Sequence, residues 1–330
     1  MNRATLLLTG EDVRALLPAA DCIDAVERAF RRAAAGAPAA GVLAMPVGGG
    51  GFHVKAAALR LSRHYFAAKL NGNFPANPAR HGLPTIQGVV ALCDADDGRL
   101  LALMDSIEIT RLRTGAATAV AARYLARPES STLTLFGCGS QAAAQVRCLS
   151  HTLPIRQVHL YDPDSRRAES LARWIRAELA LEARALSAET VMGQARESDV
   201  IVTCTPSRRP FLGRAHLRTG TFVGAVGADA PDKQELEPEL LAASTLVVDV
   251  REQCAAFGEL HHALAAGLLH GDPAPAELAQ VVAGTRPGRT DPNELTVFDS
   301  TGTALEDVAA AALCFERAER SGRGLTLQLA

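Results

Sequence analysis

Apolar and polar positions follow two rhythms along this chain, and the change between them falls near Ser130. Before it, short apolar runs are separated by glycines and acidic turns. After it, brief apolar strands alternate with helical stretches. Thr9-Gly10-Glu11-Asp12 reads as a helix start, with Thr9 as the cap and two acids in the first turn. Helices follow over Val13–Leu17 and Ala20–Ala35, the second with Ile23, Val26 and Phe30 on one face. Past Gly36, Pro38 and Gly41 the pattern predicts strands over Val42–Val47 and Phe52–Leu59, joined by Gly48-Gly49-Gly50-Gly51. Tyr65–Leu70 and Gly88–Cys93 are further strands, and Asp94-Ala95-Asp96-Asp97-Gly98 is a hairpin signal leading into Leu100–Met104. This first third is a mostly antiparallel α+β layer. Ile107–Leu125 is a long Ala-rich helix, and Pro128-Glu129-Ser130-Ser131 is the natural hinge after it.

From Thr132 the predicted strands are Leu133–Phe136, Val158–Tyr161, Val200–Cys204, Phe222–Val226 and Leu246–Val250, with helices between them and a last strand at Leu295–Phe298. Right-handed crossovers of this kind give a parallel sheet with a ligand site at its carboxyl edge. Thr303–Arg317 is a final Ala-rich helix, expected to pack back on the first domain.

The first of these strands runs into Gly137-Cys138-Gly139-Ser140-Gln141-Ala142 and then a helix at Ala143–Leu149. Gly137 permits a tight turn, Gly139 lets backbone approach a pyrophosphate, and Ala142 lets the helix pack on the strand. The helix would aim free N–H groups at the phosphates. Asp162 ends the next strand roughly 20 residues on, where a ribose-hydroxyl acceptor belongs. Its charge favours NAD(H) over NADP(H), with Arg166 and Arg167 read as solvated charges. Thr205, after the third strand, lines the pyrophosphate or nicotinamide side, or else closes a plain turn. The expected organisation is α/β: a Rossmann NAD-binding domain over 128–303 and an α+β domain made of 1–127 together with 304–330.

Composition narrows the partners. Hydrophobic residues make up 48% and charged residues 21%, and the formal charge of −2 offers no basic footprint for nucleic acid or an anionic membrane. No apolar run reaches the roughly 18 residues of a membrane span, and the N-terminal stretch lacks a signal-peptide core and cleavage site. Seven cysteines stand singly with no Cys-x-x-Cys pair, which fits reduced thiols and a cytoplasmic protein. His261 and His262 are adjacent and on a helix point about 100° apart, so no metal site is expected.

Cations stand out of place on the apolar strands: Lys69 in Phe66-Ala67-Ala68-Lys69-Leu70-Asn71 and Lys55 in Phe52-His53-Val54-Lys55-Ala56-Ala57. Arg113 opens an Ala-rich helical face. Buried, such groups need an anionic partner, and a substrate carboxylate would serve; otherwise they are snorkelling surface side chains, the reading favoured for Arg111.

Several landmarks carry a resemblance: Lys69-Leu70-Asn71, Gly82-Leu83-Pro84-Thr85, Thr110-x-x-Arg113-Thr114, the glycine turn with Gln141, Val226-Gly227-Ala228-Asp229, and Ser300-Thr301-Gly302-Thr303-Ala304-x-x-Asp307. Together they resemble the ornithine cyclodeaminase/mu-crystallin family over nearly the whole chain. The resemblance implies a homodimer with a Rossmann domain and a split substrate-binding and dimerisation domain. It gives Lys69 contact with the substrate carboxylate and reacting centre, Arg113 the grip on the carboxylate, and Asp229 the proton at the substrate nitrogen. It brings Ser300, Thr301 and Gly302 to the nicotinamide ring. Two departures bear on the substrate. Ala39-Ala40-Gly41 stands where the family usually has an additional arginine. Lys55, with His53 on the same strand face, stands near where the cyclodeaminases carry an acid for ornithine's ammonium.

These departures argue against ornithine and for a small or acidic substrate. The expected activity is an NAD(H)-dependent imine reductase, or amino-acid dehydrogenase in reverse, on an alanine-, aspartate/iminosuccinate- or cyclic-imine-type imino acid. The rivals are a cyclodeaminase-type lyase that uses NAD catalytically and releases ammonia, and a non-catalytic nicotinamide-cofactor or ligand-binding protein.

Overall fold

The structure, a computed structural model, describes residues 4–36, 40–269 and 274–328; Pro38 and Ala39, used in the reading above, lie outside the described residues. The chain divides into two compact units, Met1–Arg113 with Thr303–Ala330 and Thr114–Gly302. The division falls within the helix Ser106–Leu125, and the boundary expected from sequence lies just beyond that helix.

The first unit is built on a seven-stranded sheet. Its antiparallel heart is Ala40–Val47, Gly50–Arg60, His64–Asn73, Ile86–Asp94 and Leu100–Asp105. Of the four glycines expected to form a turn, Gly50 already pairs with Val47. The turn is Gly48 and Gly49, with Gly49 at φ +86°, the left-handed backbone that a two-residue hairpin demands. Two strands escaped the sequence reading. Ala4–Leu8 lies parallel to Leu100–Asp105, and Leu325–Gln328 pairs antiparallel with it, extending the sheet by contacts between the chain's two ends.

One face of this sheet is covered by the helices Ala19–Ala33 and Ala304–Ser321. The former buries Cys22, Ile23, Val26, Ala29 and Phe30 at helical spacing. The latter is buried nearly all round, as its alanines permit, and packs on the first unit as expected. Tyr65, Ala67 and Lys69 point under these helices, every second residue of one strand. The opposite face exposes Leu43, Met45, Phe52 and Leu70, which the strand register sets side by side.

The second unit carries an eight-stranded, all-parallel sheet. Its first strand, Thr132–Phe136, is flanked on one side by Gln157–Tyr161 and on the other by Val200–Thr203. The strand order reverses there, so the crevice beyond Phe136 is the ligand position of a doubly wound sheet. Phe222–Ala225, Thr296–Asp299 and Thr245–Val248 continue the sheet. They are buried throughout apart from the first residue of the last, so successive apolar residues such as Val297 and Phe298 replace the alternation of a half-exposed strand. A small flanking sheet, Arg208–Leu212 with Gln234–Leu236, was not expected from sequence.

Candidate active site

In the second unit the glycine turn behaves as two different glycines. Gly137 sits at φ +92°, and a Cβ there would lie 2.9 Å from both the Cys204 carbonyl oxygen and Thr205 Cγ2. The fold itself requires a glycine at this position. A Cβ on Gly139 would meet nothing within 4 Å, so the open space beside it is free for an approaching ligand. Ser140 is exposed, and Ala142 is fully buried at the start of the helix Ala142–Thr152. Gln141 precedes that helix, and its Oε1 is buried without a hydrogen-bond partner among the described residues. Asp162 reaches back into the turn: its Oδ2 accepts the Cys138 N–H at 2.9 Å and its Oδ1 the Asp164 N–H at 2.9 Å. Arg166 and Arg167 are exposed and lean on Asp164 at 3.0 and 3.8 Å, as solvated charges should. A left-handed glycine, an open glycine, an orphaned acceptor and an acid at the next strand end fit a dinucleotide.

The other expected groups of this unit lie at the carboxyl ends of its strands. Thr205 follows Val200–Thr203, and its N–H donates to Glu235 Oε1 at 2.6 Å. Asp229 lies beyond Phe222–Ala225 with its side chain 52% exposed, and Lys233 Nζ stands 2.5 Å from its Oδ1. Ser300 and Thr301 are buried, and their hydroxyls turn inward to Asp249, at 3.4 and 3.1 Å. The Gly302 N–H donates to the same carboxylate at 2.6 Å.

In the first unit the expected cations do come together. Lys69 is 4% exposed, and its Nζ lies 2.9 and 2.8 Å from the two carboxylate oxygens of Asp307. Arg113 is buried too, with one terminal nitrogen 2.7 Å from Glu306 Oε2 and Nε 3.1 Å from Asp307 Oδ1. Lys55 stands directly opposite Lys69 in the strand register, and His53 opposite Asn71, so all four share one sheet face. His53 is exposed and Lys55 half-buried. Asn71 Oδ1 is a buried acceptor without a partner among the described residues. Burial, and next the Arg113 charge, pull the Lys69 ammonium down to about 8 against the opposing pull of Asp307. Burial would raise the Asp307 carboxyl, but Lys69 and Arg113 outweigh it and hold it below the usual carboxylate range.

The anionic partners of these buried cations are therefore supplied by the protein. Sequence reasoning looked to a substrate carboxylate and gave Glu306 and Asp307 no role. The signal was there: two adjacent acids in the first turn of a helix, which point to different sides and can grip two cations. Glu235 and Asp249 were also missed, because nothing local in sequence distinguishes a buried carboxylate from a surface one.

The sequence profile of the ornithine cyclodeaminase/mu-crystallin family matches residues 3–322. The chain belongs to that family. Among its members, the alanine dehydrogenase of Archaeoglobus fulgidus is 37% identical over 318 residues, covering 95% of each chain. The iminosuccinate reductase of Paracoccus denitrificans is 37% identical over 273 residues, 83% of this chain and 81% of the relative. The solved structure of an archaeal alanine dehydrogenase dimer with bound NAD superposes with a TM-score of 0.92 at 35% identity, over 99% of this chain and 100% of that one.

Proposed function

We propose that the chain is an NAD(H)-dependent oxidoreductase that interconverts a small α-imino acid and the L-amino acid. The observation that carries this reading is the buried Lys69–Arg113–Asp307–Glu306 group, which faces Lys55 across the strand pair and lies in a chain that also holds a dinucleotide turn. Gly137, Gly139, Ser140, Gln141, Ala142 and Asp162 would hold the cofactor, together with Thr205 and the Ser300–Gly302 segment. Bound there, it supplies the hydride.

Arg113 and Lys69 take the substrate carboxylate. Asp307 accepts only part of the hydrogen-bonding capacity of Lys69, whose ammonium has three donors, and the lowered pKa of Lys69, about 8, lets that ammonium exchange a proton near neutral pH. Asp229 gives the proton to the substrate nitrogen, with Lys233 as its charge partner. Lys55 and His53 set the substrate class: cations here attract an acidic or small substrate and repel a side-chain ammonium, which favours imine reduction over ornithine deamination. The apolar strip of Leu43, Met45, Phe52 and Leu70 is the surface we assign to a homodimer. The free thiols of all seven cysteines accord with a cytoplasmic protein.

The experiment is NADH oxidation with pyruvate or oxaloacetate plus ammonia, and with cyclic imines, with ammonia release followed in parallel. Turnover of any imino acid supports the reading. Ammonia release without net NADH change points to the lyase, and cofactor binding without turnover to a binding protein.

A further inference from the structure

We propose that Glu235 is a positioning residue of the cofactor site, a buried clamp that sets the Thr205 and Gly227–Asp229 loops at the carboxyl edge of the parallel sheet. This deepens the function proposed above and rests on its cofactor half.

Glu235 is fully buried, on the small flanking strand Gln234–Leu236, so its carboxylate reaches in from outside the main sheet. It accepts hydrogen bonds from the Thr203 hydroxyl at 2.7 Å, the Thr205 N–H at 2.6 Å and the Gly227 N–H at 2.8 Å. These donors sit at the ends of two neighbouring strands, Val200–Thr203 and Phe222–Ala225. Among the described residues no cation pairs with Glu235, and N–H and O–H dipoles take that place. The backbone of Glu235 is pinned in turn, since its N–H and that of Leu236 donate to Glu259 at 2.7 and 3.1 Å.

The two clamped loops are the ones the chemistry uses. Thr205 Cγ2 packs against the glycine turn at Gly137, so the clamp fixes the wall that the turn rests on. Gly227 comes so close that a Cβ there would collide with the Thr205 carbonyl and the Glu235 carboxyl group. Asp229 follows two residues later, and its N–H donates to the Gly227 carbonyl at 3.1 Å. One carboxylate thus fixes a cofactor-binding loop and the loop of the proposed proton donor before either ligand arrives.

The test uses the full chain. Glu235→Gln presents one acceptor and one NH₂ where the carboxylate presents two acceptors, so one of the two loop N–H groups loses its partner. Asp199→Asn is the control. Asp199 precedes the strand Val200–Thr203, at the end away from Thr205, where it accepts the Ser131 and Thr132 N–H groups and pairs with Arg127 and Arg218. NADH affinity, read by the fluorescence of bound NADH, is expected to weaken about tenfold in Glu235→Gln and to be unchanged in Asp199→Asn, although both melt at lower temperature. Unchanged NADH affinity in Glu235→Gln, or equal losses in the two variants, overturns the proposal. Amide hydrogen exchange on the wild-type chain tests it independently of folding of the variants. The Thr205 and Gly227 amides are expected to be protected before NADH is added, and exchange at open-loop rates overturns the clamp. If NADH does not bind the wild type, the cofactor reading fails while the exchange result still judges the clamp. If NADH binds but no imino acid turns over, only the substrate reading fails.

Discussion

Buried ionisable side chains are satisfied in two different ways in this protein. On the sheet face of the first unit, Lys69 and Arg113 are matched by Asp307 and Glu306 as ion pairs. In the second, Asp199 is also ion-paired, to Arg127 and Arg218, but Glu235, Asp249, Glu259 and Asp299 are buried with backbone N–H groups, hydroxyls and the Cys254 thiol as partners and, among the described residues, no cation. The difference separates two tasks. Ion pairing keeps two cations charged inside the protein, where an anionic substrate can use them. Acceptance of N–H groups ties loops in place, which requires rigidity.

The ion-paired cluster should break hardest. Lys69→Met leaves Asp307 facing Arg113 alone, and removing one member of a buried pair costs about 3–5 kcal/mol. The thermal midpoint should fall sharply, and imine-dependent NADH oxidation should drop by about a hundredfold or more. An active, undestabilised Lys69→Met would mean that the cluster is neither structural nor chemical.

The next effect is a pH dependence. The Lys69 ammonium sits near 8, so its charged form dominates below that value and is lost above it. KM for a carboxylate substrate should climb about tenfold per pH unit above roughly 8. Lys69→Arg, which stays charged, should flatten that limb whatever it does to the maximum rate. A wild-type KM that is level to pH 10 would count against Lys69 as a carboxylate ligand.

How visible each cluster is in the sequence follows from how far apart its members lie. Gly137, Gly139, Ala142 and Asp162 fall within one strand–helix–strand unit, so their spacing alone exposes them. Lys69 and Asp307 are separated by 238 positions, and only a sheet face that brings the final helix back onto the first unit unites them. Lys69 and Arg113 were legible as misplaced cations, whereas the acids that hold them were ordinary acids of a helix start. The strands Ala4–Leu8 and Leu325–Gln328 were missed for a related reason: each is short, and each is a strand because its partner lies elsewhere in the chain. The buried carboxyls Glu235, Asp249, Glu259 and Asp299 left no trace in the pattern, since the sequence does not say which acids a sheet edge will bury.

A smaller effect should come from Lys55, opposite Lys69. Lys55→Glu reverses the charge beside the proposed carboxylate site. The ratio of turnover on oxaloacetate-derived over pyruvate-derived imine should fall by about tenfold, the order of one like-charge contact in a partly exposed site. An unchanged ratio would place substrate selection elsewhere.

The smallest effect is expected at Asp299. Burial raises its carboxyl to about 7, although the Leu260 N–H opposes the shift. The folded chain then keeps a proton that the unfolded chain releases near 3.8. This contribution to stability is full below the unfolded value and is lost as pH rises through about 7. Asp299→Asn keeps an acceptor for the Leu260 N–H and removes the titration. Melting midpoints measured from pH 5 to 8 should therefore decline less in the variant than in the wild type, and parallel curves would show that Asp299 is ionised throughout.

The most direct measurement is the substrate screen on the purified wild-type chain, with NADH consumption and ammonia release followed together across linear and cyclic imino acids. The expected result is stoichiometric NADH oxidation with a small or acidic imino acid, NADH preferred over NADPH, and no ammonia released in excess. Ammonia released from a diamino acid with NADH level unchanged, or no imino acid oxidising NADH at all, would contradict it.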